Sequence, residues 1–385
     1  MNRKTISIRR CADYNIENVS SAVSKALEPL GGMGAFVKNG DKVLIKPNLL
    51  KASAPDKAVT THPAMVEVVV NEVHQAGGRA LVGDSPGLGK IENIFNLTGM
   101  TGVAQRTGAE LVEFKESVKA KGRAKSDFSN IEIAKNVVDA DRVINLPKIK
   151  THAQMTITAG VKNCFGCVVG KRKPQWHFKA GVSRERFADL LIDIFNAVNP
   201  CLTIADGVTV MEGNGPGSGD PRELGLIFAS ADTLGMDRVI SYLLGFRESD
   251  VPLFCAARSR GLITSGLECM DIAGPDPTAA GLTDLRLKDF KMPKTVGMMF
   301  GPPFLRRTLR KAVTARPDID SRLCTICMEC IKICPAEAMF VKDKTVKIDY
   351  EECIRCFCCQ EICPKGAITA KQGWLLRLFG ANGQE

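Results

Sequence analysis

The sequence predicts an α/β protein with a mainly parallel sheet covered by helices on both faces, followed by a small cysteine-rich α+β module. Two observations support this fold class. Strand-like apolar runs alternate with helical stretches through residues 1–245, a pattern typical of parallel sheets. Eight cysteines then fall into two copies of one spacing within residues 318–371, which indicates a separate small domain.

The elements of the first domain follow from apolar runs and the residues that bound them. The first predicted strand covers the short apolar run at 41–45. Residues 63–76 predict a helix, because Pro63 suits a first helical turn and Gly77-Gly78 end the helix. Further strands are predicted at 79–83, 110–114, 141–146, 202–205 and 224–229, and further helices at 91–107, 184–199 and 233–244.

The length of the chain predicts more than one domain. At 385 residues it exceeds a single ordinary core. We expect an α/β domain at 1–245, a mixed extension rich in Gly and Pro at 246–317, the cysteine-rich domain at 318–371 and an amphipathic tail at 372–385.

The composition predicts a cytoplasmic protein. A membrane helix requires about 18 consecutive apolar residues, and the sequence contains neither such a run nor a secretory signal. Fifteen cysteines without a signal indicate a reducing compartment. We therefore expect no transmembrane segment.

Basic residues are concentrated in one stretch of the chain. The net charge is +10, and residues 142–186 hold ten Lys or Arg against one acid, Glu185. This concentration indicates an anionic substrate or partner, and a solvated basic loop is the alternative. Nucleic acid is not expected, because only Phe165, Trp176 and Phe178 are available there to stack on bases.

The cysteine spacing indicates iron–sulfur clusters. Both copies read C-x2-C-x2-C-x3-C-P, and in two-cluster ferredoxins the fourth cysteine of each run ligates the other cluster. The predicted ligands are therefore Cys324, Cys327, Cys330 and Cys363 for cluster 1, and Cys353, Cys356, Cys359 and Cys334 for cluster 2. Zinc sites usually show cysteine pairs instead, and disulfide frameworks belong to small secreted domains. We expect two [4Fe-4S] clusters in a ferredoxin-like module, with the off-pattern Cys358 as a small buried hydrophobe.

Polar side chains follow five of the predicted strands. Ligands of open α/β sheets bind outside the carboxyl ends of the strands, so we expect one convergent site there. The residues expected to bind an anionic substrate are Lys46, Asn48, Ser85, Lys148, Lys150 and Lys162. The candidates for proton transfer are Asp84, His152 and Asp206. An ordinary turn residue, a solvated lysine or a structural hydrogen bond is the alternative at these positions.

Two further segments have more than one interpretation. Cys164 and Cys167 form a lone C-x2-C, which indicates a redox dithiol, half a metal site or, as we favour, two adjacent buried thiols. The Gly-rich residues 214–219 form either a loop that closes over a ligand or a surface turn. The sequence shows no flavin motif, and we claim no flavin.

Five segments resemble the family called "domain of unknown function 362". They are residues 46–48 (KPN), 83–87 (GDSPG), 146–152 (LPKIKTH), 161–166 (VKNCFG) and 206–216 (DGVTVMEGNGP). The resemblance covers most of residues 40–245 together with 318–371, because members of the family often carry a two-cluster ferredoxin module. Residues 150–170 are also similar to the lysine loop of nickel-pincer lactate racemases. The His-rich pattern of those enzymes is missing from this chain, which has four His, so their catalytic residues are not transferred.

These inferences predict an iron–sulfur oxidoreductase. Its two clusters would exchange electrons with a site on the α/β domain that handles an anionic substrate, and a redox partner protein would complete the chain of transfer. Two alternatives are an electron-transfer adaptor that docks a partner enzyme, and a non-redox racemase- or lyase-like enzyme with accessory clusters.

Overall fold

The computed structural model describes residues 4–87, 89–120, 128, 130–170, 172–275, 279–295 and 315–372. The predicted tail at 372–385 lies outside these ranges from residue 373 onward. Within the ranges, no helix combines the length and the apolar character needed to cross a bilayer.

The described strands form one large sheet and three two-stranded sheets. They are β1 (Ile6–Arg10), β2 (Lys42–Pro47), β3 (Arg79–Asp84), β4 (Glu110–Glu113), β5 (Ser117–Lys119), β6 (Glu132–Ala134), β7 (Arg142–Leu146), β8 (Lys148–His152), β9 (Thr156–Thr158), β10 (Leu202–Glu212), β11 (Asp220–Ser230), β12 (Ile272–Ala273), β13 (Arg316–Ile319), β14 (Met339–Lys342), β15 (Thr345–Ile348) and β16 (Ile368–Lys371). The large sheet has ten strands in the order β12-β1-β11-β10-β7-β2-β3-β4, with β8 paired to β10 and β9 paired to β8. Strands β10, β7, β2, β3 and β4 pair in parallel, whereas β11 is antiparallel to both of its neighbours.

The described α-helices are α1 (Ile16–Leu27), α2 (Pro63–Gln75), α3 (Ile91–Leu97), α4 (Met100–Thr107), α5 (Lys135–Val138), α6 (Gly160–Asn163), α7 (Arg172–Ala180), α8 (Arg184–Val198), α9 (Thr233–Leu243), α10 (Pro252–Ser259), α11 (Ala279–Asp284), α12 (Glu329–Ile333) and α13 (Cys358–Ile362). Their boundaries follow the local chemistry. Helix α2 begins at Pro63, and α8 is capped by Ser183, whose hydroxyl accepts a hydrogen bond from the backbone N–H of Arg186.

Helices cover both faces of the large sheet. Leu44 of β2 packs into one apolar cluster, which contains residues of α8 and α9, whereas its neighbours Val43 and Ile45 pack into a second cluster with α1 and α2. Alternation of this kind along a strand requires a core on each side of the sheet. The predicted α/β fold with a mainly parallel sheet is therefore confirmed.

Several predicted boundaries differ from the structure. Strand β10 continues past residue 205 to Glu212, because it pairs with β11 through this stretch, so Asp206 lies inside a strand instead of following one. The polar residues that follow β7 form a strand of their own, β8. The predicted helix at 91–107 is two helices, separated at Gly99, whose φ of 80° ends a helical run. Strand β1 was not predicted.

Part of the predicted extension at 246–317 packs on the α/β domain. Arg260, directly after α10, forms an ion pair with Asp193 of α8 at 2.7 Å. Strand β12 pairs with β1 at the edge of the large sheet.

The cysteine-rich module is a small α+β unit, as predicted. Strands β13 and β16 form one antiparallel pair, and β14 and β15 form another. The module docks on the α/β domain through α13 and its flanking residues. The Lys51 ammonium donates to the Cys363 carbonyl at 3.0 Å, and the Asn214 amide contacts the Ile368 carbonyl at 3.5 Å. The Gly-rich loop at 213–219 therefore lies against the module, and Gly217 has no room for a side chain beside the Glu361 carbonyl.

Candidate functional site

The first cavity of the module is lined by the four cysteines that the spacing assigns to cluster 1. It has an empty volume of about 380 Å³ and brings Cys363 from the second copy together with Cys324, Cys327 and Cys330 from the first. Four thiols around one such space fit a cubane cluster, which takes four cysteine ligands.

The second cavity is lined by the four cysteines assigned to cluster 2. It has an empty volume of about 330 Å³, and Cys334 from the first copy joins Cys353, Cys356 and Cys359 from the second. Cys358 also lines this cavity and is buried, as a small hydrophobe would be. The fourth cysteine of each copy thus lines the cavity of the other copy.

The backbone of both copies turns through the left-handed region at equivalent positions. Ile326 and Met328 flank Cys327 with φ values of 54° and 62°, and Arg355 and Phe357 flank Cys356 with φ values of 58° and 62°. Side chains at positive φ carry strain, which persists where function requires the geometry. The repeated turn bends each run of cysteines around its own cavity.

A cleft of about 780 Å³ separates the module from the α/β domain. Its lining includes Asn48, Leu50, Asp84, Ser85, Lys150, His152, Thr158, Lys162, Phe165, Lys173 and His177 of the α/β domain, and Ile333, Cys358, Glu361 and Ile362 of the module. The cleft therefore places the carboxyl ends of β2, β3 and β8 opposite α13, which carries Cys359, a predicted ligand of cluster 2.

One polar contact crosses this cleft. His152 Nε2 lies 2.9 Å from Glu361 Oε1. The backbone N–H groups of Gln154 and Met155 both donate to His152 Nδ1, so the neutral ring carries its proton on Nε2, facing the carboxylate. Burial lowers the pKa of His152 to about 4. Burial by itself raises the pKa of Glu361, but His152 and Lys162 outweigh it and lower that pKa to about 2.

Lys150 is held in the cleft by two acceptors. Its ammonium donates to Asn48 Oδ1 at 2.8 Å and to the Val59 carbonyl at 2.5 Å. Burial lowers the pKa of Lys150 well below its ordinary value. Glu361 opposes this shift, whereas the nearby Lys162, Lys51 and Lys148 add to it. The surroundings of this side chain therefore favour its neutral amine unless an anion is bound beside it.

Lys162 differs from Lys150 in its contacts. Its Nζ atom lies 5.6 Å from the centre of the Phe165 ring, and no hydrogen-bond acceptor for it occurs among the described residues. Burial lowers its pKa, and the Glu361 carboxylate partly offsets this effect. Lys173 also enters the cleft, where it donates to the Ser85 carbonyl, and burial lowers its pKa to about 8.

Asp84 and Lys46 form a buried ion pair beside the cleft. Lys46 Nζ lies 2.9 Å from Asp84 Oδ1, and the Asp84 carboxylate also accepts from the backbone N–H groups of Leu49 and Ser85 at 2.8 Å. A Cβ atom at Gly166 would collide with Asp84 Oδ1 and Lys46 Nζ. The pair fixes the turn at the end of β3 on which Ser85 lies.

Two residues predicted for the site lie in a separate buried network. Lys148 Nζ is 2.9 Å from Asp206 Oδ2 and donates to the Tyr14 hydroxyl at 2.6 Å. That hydroxyl donates in turn to Asp206 Oδ1 at 2.7 Å, and the backbone N–H of His62 donates to Oδ2. Neither Lys148 nor Asp206 lines the cleft. The two side chains neutralise each other's charge within this network.

Apart from Lys46, which lies directly behind the wall, the remaining residues predicted for the site line the cleft. Several residues that were not predicted line it as well. Glu361 lies inside the cysteine motif, where we considered only the cysteines. Lys173 and His177 belong to the basic stretch at 142–186, so the concentration of charge there could have indicated them. No feature of the sequence indicated Thr158. Cys164 and Cys167 are fully buried, and burial raises the pKa of both thiols, to about 12 for Cys167.

Two family models match this chain, one over the α/β domain and one over the module. Residues 43–242 match the family described as "Domain of unknown function (DUF362)", and residues 316–364 match the "4Fe-4S dicluster domain". The "Thylakoid-associated protein sll1697" of Synechocystis sp. (strain ATCC 27184 / PCC 6803 / Kazusa) is 39% identical over 319 residues, which cover 80% of this chain and 94% of the relative. The lactate racemase apoprotein from Thermoanaerobacterium thermosaccharolyticum superposes with a TM-score of 0.40 at 14% identity, over 62% of this chain and 57% of that chain.

Proposed function

Because this chain belongs to the DUF362 family and carries a 4Fe-4S dicluster domain, we propose that it is an iron–sulfur oxidoreductase whose small anionic substrate binds in the cleft. One observation carries the proposal. Cys358, which lies between the proposed cluster ligands Cys356 and Cys359, lines the same cleft as Lys150 and Lys162. A bound anion there would lie beside the part of the module that holds cluster 2.

The lysines of the cleft have distinct roles in this proposal. When bound, [4Fe-4S] clusters supply or accept single electrons. Lys162 binds the acid group of the substrate, because its ammonium has no acceptor within the described part of the chain. Lys150 contributes a fixed amine group, since Asn48 and Val59 hold its Nζ atom in place. A bound anion would favour the protonated form of both lysines, and the attraction between the opposite charges is stronger there than in water.

His152 is the proposed proton-transfer residue. A reduction consumes protons as well as electrons. His152 Nε2 lies 2.9 Å from the Glu361 carboxylate, and a proton taken up from solvent by this pair would pass to the substrate without leaving an imidazolate. Asp84 and Asp206 are both engaged by a lysine and by backbone N–H groups. We therefore assign these two carboxylates a structural role.

A redox partner protein would approach the outer end of the module. Cys327 is exposed, and two apolar neighbours of the cluster 1 cysteines, Leu323 and Met328, are 52% and 48% exposed. These side chains leave apolar surface near the cluster 1 cysteines open to a partner. Electrons would then enter near Cys327 and be used on the opposite side of the module, at the cleft.

The buried polar groups of the cleft favour an enzyme over a docking adaptor. An adaptor needs an exposed surface for its partner, whereas Lys150 and His152 are almost completely buried within the protein. Burying such groups is unfavourable unless they are satisfied or functional.

The proposal is tested by reducing the protein without oxygen and adding reducible organic acids, such as pyruvate, fumarate and cinnamate. We expect at least one acid to reoxidise the clusters, as followed by visible absorbance, and Lys162→Met to slow that reaction at least about tenfold at low acid concentration. Lys115→Met is the matched control, since Lys115 is exposed and pairs with Glu113 outside the cleft. Equal rates in both variants, or conversion of an acid without reductant, would contradict the proposal.

A further inference from the structure

We infer that the cleft binds an organic acid with one acid group, an apolar body and a second polar group such as a hydroxyl or carbonyl. This inference rests on the proposed function, because the ligand it describes is the substrate of that site. It excludes inorganic phosphate and small fully polar anions as the preferred ligands.

The charge of the cleft points to a single acid group. Four lysines and two carboxylates lie in or directly behind its wall: Lys46, Lys150, Lys162, Lys173, Asp84 and Glu361. The lysines outnumber the carboxylates by two, and an anion in the cleft would favour their protonated forms. Of the four ammonium groups, only that of Lys162 lacks an acceptor among the residues that the structure describes, which leaves one position for an acid group.

A cluster bound by Cys356 and Cys359 is a second source of negative charge near Lys162. Cys358, which is adjacent to Cys359 in the chain, lines the same cleft as Lys162. Lys162 therefore either binds the acid or balances the charge of the cluster, and these two roles give different results when the residue is replaced.

Apolar side chains form much of the remaining lining. Leu50 and Phe165 contribute from the α/β domain, and Ile333 and Ile362 from the module. A phosphate ion keeps its hydration shell and gains nothing from such surfaces, whereas an apolar body is driven onto them. The two walls belong to different domains, so the body of the ligand would contact both.

Four buried polar atoms in the lining make no hydrogen bond within the described part of the protein: His152 Nε2, Glu361 Oε1, the Thr158 hydroxyl and His177 Nδ1. The first two lie 2.9 Å from each other as an ion-pair contact. The Thr158 hydroxyl and His177 Nδ1 belong to residues that are only 4% and 3% exposed. Buried polar groups in proteins are almost always paired. A hydroxyl or carbonyl on the ligand would satisfy one or both of these atoms, which accounts for the second polar group in the proposal.

The test is anaerobic calorimetry on the full chain with both clusters present. The probes are 4-hydroxybenzoate, phenylpyruvate, 4-hydroxybenzamide and inorganic phosphate. We expect one or both aryl acids to bind at least about tenfold more tightly than the amide and the phosphate. Lys162→Met should remove the preference for acid over amide, and Lys115→Met should retain it. Thr158→Val should weaken 4-hydroxybenzoate or phenylpyruvate more than it weakens unsubstituted benzoate.

The outcomes separate this inference from the proposed function. Tighter binding of phosphate than of either aryl acid, lost in Lys162→Met, would overturn the ligand class while leaving an anion site in the cleft. If none of the anions binds, and Lys162→Met changes only the reduction potentials of the clusters, Lys162 balances cluster charge, and both the inference and the proposed substrate site are wrong.

Discussion

His152 Nε2 and Glu361 Oε1 lie 2.9 Å apart, although one belongs to the α/β domain and the other to the cluster module. The contact lies in the cleft, beside Lys162. It lies opposite the strand ends at which the sequence has polar residues. The polar wall of the cleft is therefore completed only when the module is docked. This relationship links the position of the clusters to the binding of a substrate.

Glu361→Gln should loosen the docking of the module. The neutral amide no longer offsets the charge of Lys162 or faces His152 as an anion, and we expect a loss of about 1 to 3 kcal/mol. The measurement is backbone hydrogen exchange in α13 and in the loop at 213–219, which should become faster. Glu352→Gln, at an exposed position of the same module, should leave exchange unchanged, and equal protection in both variants would contradict the assigned role.

Lys148→Met and Lys162→Met should differ in stability. The first change leaves Asp206 buried without its counter-ion, which we expect to lower the free energy of unfolding by about 3 to 5 kcal/mol. The second removes a half-buried amine that has no acceptor in the described ranges, so it should be neutral within about 1 kcal/mol or stabilising. Urea unfolding of the two variants decides this, and an equal loss would mean that Lys162 is a structural residue.

The exchange of the fourth cysteine predicts a pattern in double variants. Cys327→Ser and Cys363→Ser affect the same proposed cluster, so each single variant should lose about four irons. The double variant should lose no more than either single variant. Combining Cys327→Ser with Cys334→Ser should remove about eight. Iron and sulfide analysis after anaerobic purification provides the measurement. The opposite pattern would assign each complete cysteine run to its own cluster.

Gly166→Ala should destabilise the α/β domain. The added Cβ atom would collide with the buried pair of Asp84 and Lys46, and overpacking of this kind costs about 1 to 3 kcal/mol. Gly34→Ala is the control, because a Cβ there meets nothing within 4 Å. Thermal unfolding should show a lower midpoint for Gly166→Ala alone, and unchanged stability would indicate that the pair is free to move.

Acid should destabilise the protein through its buried histidines. Burial lowers the pKa of His177 to about 3, whereas the unfolded chain binds a proton near pH 6.5. The unfolded state therefore gains protons first as the pH falls below 6.5, and stability is lost down to about pH 3. His177→Phe, which keeps a ring stacked on Phe187, should remove about 1 to 2 kcal/mol of the loss between pH 7 and pH 5. The measurement is urea unfolding at pH 7 and pH 5. His74→Phe, at a partly exposed position, is the control and should leave the loss of stability between these pH values unchanged.

The sequence predicted the fold because its periodicities are local. Apolar runs such as 41–45, and helix boundaries such as Pro63 and Gly77, depend on neighbours in the chain. The extension of β10 was missed because it depends on pairing with β11, a tertiary effect. The cysteine spacing was informative because the chemistry of the cluster dictates it directly, without a contribution from tertiary pairing.

The candidate site was only partly predictable. Lys150, His152 and Lys162 were identified by their position after strands, and the structure places them in the cleft. Lys148 showed the same signal, but its role depends on Tyr14 and Asp206, which lie far away in the sequence. Glu361 could not be recognised, because its function depends on how the module docks.

The most direct test of the account is electron–nuclear double resonance on the reduced protein with 4-hydroxybenzoate labelled with ¹³C at its carboxyl carbon. We expect a ¹³C coupling to the paramagnetic cluster in the native protein and its loss in Lys162→Met, with the coupling kept in Lys115→Met. Binding of the acid by calorimetry without any such coupling would place it away from the clusters and contradict the claim that electrons and substrate meet in the cleft.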